Sequence, residues 1–479
     1  MTLDLPCTKG ATIESLQKQI VGIDQTVKLL DGSYRTYINL DNAASTPAFT
    51  SVRQAVDDSL NWYASVHRGS GYKSLVSTHL YEQARETVAN FVGADMDQES
   101  IIFVKNTTEA VNKLARRFPF EKDDAVLTTL MEHHSNDLPW RAVAKVLHAG
   151  LNPDGSLDLE DFRQKLEKNS GRIKLVAVTG ASNVTGFTNP IYDLAELAHR
   201  HGAQIFVDCA QLLPHRSVNK GVPGTPRYLD FIAFSGHKVY APFGGGALIG
   251  PRSFFDSIDP VERGGGTIKV VTLNEVYWAD SPDRDEPGSP NVIGAVALAA
   301  ALHTLSGVGM DAVAAHEADL TRYLLGKLAG MPEIKIYGSA DPSRTADRLG
   351  VVAFEIQGIT HGKAAAILGF EGGVGVRNGC FCAHPYVLNL LHISDEDFLA
   401  HRDRAVDGDR ADLPGVMRAS FGCYNTEADL DWLVEMLERI IRGQYTGHYE
   451  VEGCTGSYYP REFDRSDLTS CLPSSLCGS

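Results

Sequence analysis

The sequence predicts an α/β fold, with a large domain built on a mostly parallel sheet and a smaller α+β domain after it. Two observations predict this fold. Between 101 and 250, short apolar runs rich in β-branched residues alternate with helical stretches, as in strands joined by crossover helices. Further on, strand-like runs at 351–356 and 416–420 and a helix at about 427–441 form a second group. An alanine-rich helical stretch from about 292 to 330 links the two groups.

The elements of the large domain follow from these runs. Apolar runs of strand length lie at 101–105, 125–129, 174–179, 204–208 and 230–235. The helices between them are predicted to begin at about Thr108 and about Asn136 and to cover Pro190 to His201. In a parallel sheet, ligands bind beyond the carboxyl ends of the strands, so the residues after each strand are the first candidates for a site.

The composition excludes several classes of protein. The chain has 479 residues, of which 43% are hydrophobic and 22% charged, as is typical of a folded globular protein. Its 44 basic and 60 acidic residues give a net charge of −16, which argues against a nucleic-acid partner. The longest apolar run, around 295–302, is far shorter than the roughly 20 residues of a membrane span. We therefore expect no membrane partner and a cytoplasmic location.

The chain divides into four expected parts. They are an N-terminal segment 1–44 packing with the small domain, a large domain 45–325, a small domain 326–443 and a tail 444–479. The tail is rich in Gly, Ser, Pro and Tyr and is expected to be irregular. Its Cys454, Cys471 and Cys477 fit no zinc spacing well, so packing or disorder is favoured over metal binding or sulfur relay.

Two of the segments that follow strands suit parts of a cofactor. Thr107 and Thr108 open a helix after the 101–105 strand, and a helix start with hydroxyls suits a phosphate, although these residues are also ordinary caps. His133 and His134 follow the 125–129 strand. One imidazole is able to stack on a planar ring; the alternative is a solvated or capping histidine. Adjacent histidines point in different directions, so no metal site is predicted.

Two charged residues follow the next strands. Asp208 ends the 204–208 strand, where a carboxylate beside apolar residues is costly unless it meets a cation such as a protonated pyridine nitrogen. Lys238 lies between the 230–235 strand and a glycine-rich loop, where desolvation lowers an amine pKa as Schiff-base chemistry requires. Each residue alone is weak evidence. Together, in this order along one sheet, they are arranged to surround pyridoxal 5′-phosphate (PLP).

The sequence also resembles a known family, the fold-type I, class V PLP-dependent aminotransferases, and within it the SufS-like cysteine desulfurases. The resemblance covers roughly 400 residues. It rests on the segments YINLDNAASTP, NTTEAVN, MEHHSNDLPW, ASNVTG, VDCAQ, FSGHKVYAPFGGG, RGGGT, PGSPN, VRNGCFCAHPY and MRASFGCYNT. FSGHKVYAP together with VDCAQ is the most specific part. The resemblance implies a PLP enzyme that acts as a homodimer.

The resemblance assigns roles to individual residues. In the cofactor site, Lys238 would bind PLP covalently, Asp208 would pair with the ring nitrogen, Gln211 would donate to the ring hydroxyl oxygen and His133 would stack on the ring. The phosphate would be held by Thr107, Thr108, Ser235 and His237, with Ser289 of a second subunit. The substrate would be bound by Asn183, Arg377 and Arg418. Asn183 and Arg418 would bind its carboxylate, which a guanidinium suits because its geometry is bidentate.

The reaction depends on the segment around Cys382. In the desulfurases an Arg-x-Gly-x-x-Cys segment carries the nucleophile, and here that spacing leads from Arg377 to Cys382. Cys382 would attack the sulfur of L-cysteine and leave L-alanine, with Arg377 favouring the thiolate. Cys380 departs from the bacterial pattern, and the GCFC segment is also similar to molybdenum cofactor sulfurases. Cys380 is either a resolving thiol or, the favoured interpretation, a packed residue.

Two functions remain open from the sequence. The leading hypothesis is a cysteine desulfurase with L-cysteine as substrate and a possible sulfur-acceptor protein as partner. The alternative is a class V PLP aminotransferase, epimerase or lyase, including a selenocysteine lyase, that needs no catalytic thiol. Turnover by a Cys382→Ala protein distinguishes the two.

Overall fold

The computed structural model describes residues 12–67, 69–464 and 466. Among these residues the helices, in chain order, are α1 Ile13–Gln17, α2 Thr50–Leu60, α3 Tyr72–Val92, α4 Thr107–Arg117, α5 Leu138–Arg141, α6 Leu159–Lys168, α7 Ile191–Arg200, α8 Arg252–Ser257, α9 Val292–Val308, α10 Met310–Leu328, α11 His361–Gly372, α12 His384–Leu390, α13 Asp395–Val406 and α14 Glu427–Ile441. Short 3₁₀ helices cover His134–Asn136, Gly236–Lys238 and Asp283–Asp285.

The strands of the same residues alternate with these helices. They are β1 Thr26–Lys28, β2 Tyr34–Thr36, β3 Ile38–Asn39, β4 Glu99–Val104, β5 Ala125–Thr129, β6 Lys145–Ala149, β7 Ile173–Thr179, β8 Gln204–Asp208, β9 Phe231–Ser235, β10 Gly246–Pro251, β11 Ile268–Val271, β12 Val276–Trp278, β13 Ile334–Tyr337, β14 Val351–Ile356, β15 Val374–Gly375, β16 Arg377–Gly379, β17 Val416–Ser420, β18 Tyr449–Glu452 and β19 Ser457–Pro460.

The large domain is built on a mostly parallel sheet, which confirms the predicted fold class. The strand order is β4-β10-β9-β8-β7-β5-β6, and only β10 in this sheet runs antiparallel to its neighbours. All residues of β5 and β9 are buried because helices cover both faces of the sheet. The carboxyl ends of β5, β7, β8 and β9 therefore meet at one edge.

Two strands of this sheet were not predicted from the sequence, and one predicted helix is shorter. The helix expected from about Asn136 is a 3₁₀ turn followed by the four-residue α5, in which Pro139 occupies the first turn. The next residues form the edge strand β6, which is only half-buried and so lacks a continuous apolar run. β10 follows the glycine-rich loop after Lys238 and pairs with β4 and β9.

The alanine-rich helix α9 lies in the core of the large domain, packed against α2 and α3. Within the described residues, no helix alone has the length and apolarity of a membrane span. Only α9 and α10 taken together pass that test, and they are bent by 77° relative to each other.

The small domain has an antiparallel sheet with the order β13-β14-β17-β16. Residues from α10, α11 and α14 pack on it in a second apolar core that includes Leu324, Leu368 and Leu433. The N-terminal strand β3 pairs with β15, and the backbone of Asp41 bridges to Ser420 at the end of β17. This pairing brings the segment after β3 to the junction of the two domains.

Part of the tail is regular rather than irregular. β18 and β19 form an antiparallel hairpin that packs on α11. Cys454 lies in its turn and is exposed. Cys471 and Cys477 lie outside the described residues.

Candidate active site

A cavity of about 210 Å³ lies at the carboxyl edge of the large sheet, where the small domain meets it. The site residues named from the sequence that line it are Thr107, Thr108, His133, Asn183, Asp208, Gln211, Ser235, His237, Lys238, Arg377, Cys382 and Arg418. Ser289 does not line this cavity; it is exposed in another part of the surface. Its expected contribution from a second subunit stays a prediction.

Lys238 and Asp208 lie at the carboxyl ends of two neighbouring parallel strands, β9 and β8. Lys238 ends the 3₁₀ turn after β9, and Asp208 is the last residue of β8. Burial lowers the pKa of the Lys238 amine to about 8, against the opposing effect of the Asp208 carboxylate. Burial also raises the pKa of Asp208, whose Oδ1 accepts the N–H of Ala210 at 2.9 Å. A cation beside Asp208 would relieve the cost of this buried carboxylate.

The start of α4 forms one wall of the cavity. Asn106 caps this helix, and the Thr107 N–H donates to Ser235 Oγ at 2.8 Å, which ties the helix to the end of β9. The Thr108 hydroxyl lies 2.7 Å from that of Ser135. Hydroxyls and the N-terminal N–H groups of an 11-residue helix together suit an anionic group.

His133 is held as a neutral ring. Its Nδ1 accepts the N–H of Ser135 at 3.1 Å, and burial, with a smaller effect of Lys238, lowers its pKa to about 3. His237, beside Lys238, is similar: burial lowers its pKa to about 4. Both imidazoles are therefore uncharged at neutral pH.

Glu132 supports this loop, and the sequence reasoning missed it. Its carboxyl group is buried and accepts hydrogen bonds from Thr129 Oγ1 at 2.7 Å, Asn136 Nδ2 at 2.7 Å and the Thr179 N–H at 2.9 Å. Burial raises its pKa to about 8. The sequence did offer a signal for Glu132, because it is a polar residue next to His133 in the loop after a buried strand.

Arg418 reaches the cavity from β17. Its side chain is 3% exposed, and it donates from Nη1 to the Asn183 carbonyl and from Nη2 to Asp41 Oδ1, both at 2.8 Å. Asp41, which the sequence reasoning did not identify, also lies 3.6 Å from Nη1 of the exposed Arg377. The side chain of Asn183 donates to the Phe381 carbonyl at 2.8 Å. Asp41 and Asn183 therefore orient the guanidinium of Arg418.

The two cysteines of the GCFC segment have different surroundings. Cys382 is exposed at the cavity. The Cys380 thiol points to the Pro414 carbonyl, with the sulfur 3.1 Å from the oxygen, and burial raises its pKa to about 12. Among the residues that the structure describes, no group of three or more potential ligands is placed to hold a metal ion.

Gln211 faces the cavity from the turn after β8. Its Nε2 donates to the Ala43 carbonyl at 2.7 Å, which ties this turn to the N-terminal segment. Cys209, between Asp208 and Ala210, is fully buried.

The chain matches known proteins over most of its length. Residues 38–433 match the model of the Aminotransferase class-V family. A protein named "Probable cysteine desulfurase" from Halalkalibacterium halodurans is 36% identical, over 90% of this chain and 98% of that protein. A cysteine desulfurase from Dickeya dadantii is also 36% identical, over 84% and 92%.

Solved structures agree with these matches. The apo structure of a cysteine desulfurase from Thermococcus onnurineus is 32% identical, with a TM-score of 0.74, over 85% of this chain and 95% of that one. The cysteine desulfurase CsdA from Escherichia coli has a TM-score of 0.71 at 28% identity. The chain belongs to the class-V aminotransferase family, in which these relatives are cysteine desulfurases.

Proposed function

We propose that the protein is a PLP-dependent cysteine desulfurase, which converts L-cysteine to L-alanine and keeps the sulfur as a persulfide on Cys382. The observation that carries this proposal is that Lys238, Arg418 and Cys382 line one cavity. They would bind the cofactor, bind the substrate carboxylate and accept the sulfur. The desulfurase relatives support the same reading.

The residues of the cavity fit PLP. Lys238 has an amine with a pKa lowered to about 8, suited to attack an aldehyde, and Asp208 is a buried carboxylate suited to a protonated pyridine nitrogen. The residues that would hold the phosphate are Thr107, Thr108, Ser235 and His237. Gln211 would donate to the ring hydroxyl oxygen and His133 would stack on the ring. When bound, PLP supplies an electron sink that stabilises the carbanion formed at Cα.

The chain's own groups then bind the substrate and move its protons. Arg418 and Asn183 bind the α-carboxylate, and the buried position of Arg418 strengthens this interaction because little water competes. Lys238 accepts the proton from Cα and returns a proton to the product. The neutral ring of His133 is available as a second hydrogen-bonding group beside Lys238.

Cys382 accepts the sulfur. Its thiolate forms a bond to the substrate Sγ while the Cβ–Sγ bond breaks, and the electron pair of that bond stays with Cβ, which is protonated to give L-alanine. Overall, L-cysteine and the Cys382 thiol give L-alanine and a persulfide, so atoms and electrons balance. The exposure of Cys382 supports transfer of this sulfur to an acceptor protein.

Release of alanine from L-cysteine tests the proposal. We expect the wild-type holoenzyme to release alanine and, with a reductant, an equal amount of sulfide. The Cys382→Ala protein should bind PLP normally and release alanine far more slowly. Turnover of another amino acid at an undiminished rate by the Cys382→Ala protein would instead support an aminotransferase, epimerase or lyase.

A homodimer is part of the same proposal. The β11–β12 hairpin exposes apolar side chains, including Val270, Val271 and Leu273, and such a patch is more often covered than left in water. Sedimentation of the holoenzyme tests it. A monomer at micromolar concentration would exclude a contribution of Ser289 from a second subunit.

A further inference from the structure

The backbone around Cys382 is strained. Phe381 and Cys382 have φ angles of +50° and +55°, in the left-handed region that residues with side chains seldom adopt. Such a conformation is costly and persists only where surrounding contacts hold it. Contacts that hold these residues therefore also fix the position of the sulfur.

The large domain supplies those contacts. Asn183 Nδ2 donates to the Phe381 carbonyl at 2.8 Å, and the N–H of His134 donates to the Cys382 carbonyl at 2.7 Å. The N–H of His384 in turn donates to His134 Nε2 at 3.2 Å. Thus His134 binds the backbone on both sides of Ala383, at the Cys382 carbonyl and at the His384 N–H.

The ring of His134 caps helix α12. This helix begins at His384, and its own N-cap residue, Ala383, offers no side-chain acceptor. Nε2 of His134 takes that role, and the two imidazoles stack with centroids 4.9 Å apart and planes at 12°. Because a backbone N–H only donates, Nε2 must carry a lone pair, so the His134 ring in this contact is neutral. His384 Nδ1 lies 3.1 Å from the same nitrogen.

We propose that His134 is a positioning residue for the sulfur-transfer step: its backbone N–H and neutral imidazole dock the Cys382 loop and the start of α12 on the large domain. His384 completes the contact by stacking. This inference rests on the proposed function, because it concerns how Cys382 reaches the substrate sulfur. Protonation of Nε2 would set two N–H groups against each other and break the contact between the imidazole and the start of α12.

The charged groups around His134 favour the neutral ring. Burial lowers its pKa, and His384 on α12 and Arg141 on α5 act in the same direction, while Asp137 before α5 opposes them. On its own loop the titratable neighbours are His133, with ring centroids 6.3 Å apart, and the buried Glu132, whose pKa burial raises to about 8. The contact made by the imidazole is therefore kept at neutral pH and is lost at acidic pH.

Two variants test the role in the PLP-loaded full-length protein. His134→Ala removes the acceptor, and His134→Gln keeps an acceptor oxygen that does not titrate. Hydrogen exchange reports the protection of the His384 amide, and quenched-flow mass spectrometry reports the single-turnover rate of persulfide formation on Cys382. His148→Ala is the matched control, since the Nε2 of His148 pairs with Asp137 and not with the Cys382 loop.

We expect His134→Ala to expose the His384 amide to exchange and to slow persulfide formation roughly 10- to 100-fold, the range for a misplaced reacting group. PLP absorbance and the control variant should be unchanged. His134→Gln should restore most of the rate and remove the acidic fall in rate that His134 causes.

Three results would overturn the inference: unchanged protection of the His384 amide in His134→Ala, an equal loss of rate in His148→Ala, or the same acidic fall in His134→Gln as in the wild type. If the wild type forms no persulfide, the proposed function fails, and the exchange measurement still decides whether His134 docks the loop. If His134→Ala does not fold, the comparison of His134→Gln with the wild type decides.

Discussion

Replacing Arg418 with lysine should weaken recognition of the substrate carboxylate while keeping the positive charge. A guanidinium has five N–H groups, of which Arg418 gives one to the Asn183 carbonyl and one to Asp41. Three remain, including a buried Nε–H without a partner among the described residues. An ammonium group has three N–H groups, so after the same two contacts only one is left for the carboxylate.

The size of the effect follows from the lost hydrogen bond. A hydrogen bond to a charged group contributes about 1.5–3 kcal/mol, which corresponds to roughly 10- to 150-fold in affinity. Arg418 is 3% exposed, so water does not replace the lost contact. The loss should therefore appear mainly as a higher KM for L-cysteine.

The assay compares inhibition constants for L-alanine and L-alaninamide, which lacks the carboxylate charge. The wild type should bind L-alanine more tightly than L-alaninamide. In Arg418→Lys the ratio of the two inhibition constants should fall by about tenfold or more. The ratio does not depend on the fraction of active protein. Arg377→Lys is the comparison variant; its exposed pair with Asp41 predicts a smaller change. An unchanged ratio in a folded Arg418→Lys protein would refute the reasoning.

The remaining predictions concern single residues of the cavity. Uptake of PLP by the apo protein, followed by absorbance, should slow about tenfold per pH unit below about pH 8, because only the neutral Lys238 amine attacks the aldehyde; no slowing would contradict this. Asp208→Asn should lower PLP affinity yet raise the apo protein's free energy of unfolding in urea at neutral pH. The folded-state pKa of Asp208 is raised, so the stability that its protonated form contributes is lost as the pH rises; an equal gain at acidic pH would refute this. Cys380→Ala should lower the free energy of unfolding by about 1 kcal/mol, because packing and a hydrogen bond are lost, and should not slow persulfide formation on Cys382; a slower rate would favour a resolving thiol.

The central strands and their terminal residues were predictable because each is a local apolar run. Burial on both faces makes β8 and β9 continuous apolar segments, so Asp208 and Lys238 are marked by what precedes them. The edge strand β6 gives no such signal, since only one of its five residues is buried. β10 is antiparallel to β9, so no crossover helix precedes it, and the alternation of strands and helices does not predict it.

Contacts between distant segments were beyond local patterns. Asp41 meets Arg418 only because β3 joins the small domain, and His134 meets His384 only where the two domains touch. The positions of Cys382 and Arg418 came from the resemblance to a family and not from periodicity. The regular hairpin β18–β19 was missed because its Gly- and Ser-rich composition is more typical of loops.

The most direct measurement is the mass of the tryptic peptide that carries Cys382, after one turnover of the holoenzyme with L-cysteine. We predict the addition of one sulfur atom on Cys382, in step with one molecule of L-alanine released. An unmodified Cys382 in protein that has released alanine, or sulfur found on another cysteine in its place, would contradict the proposed sulfur transfer.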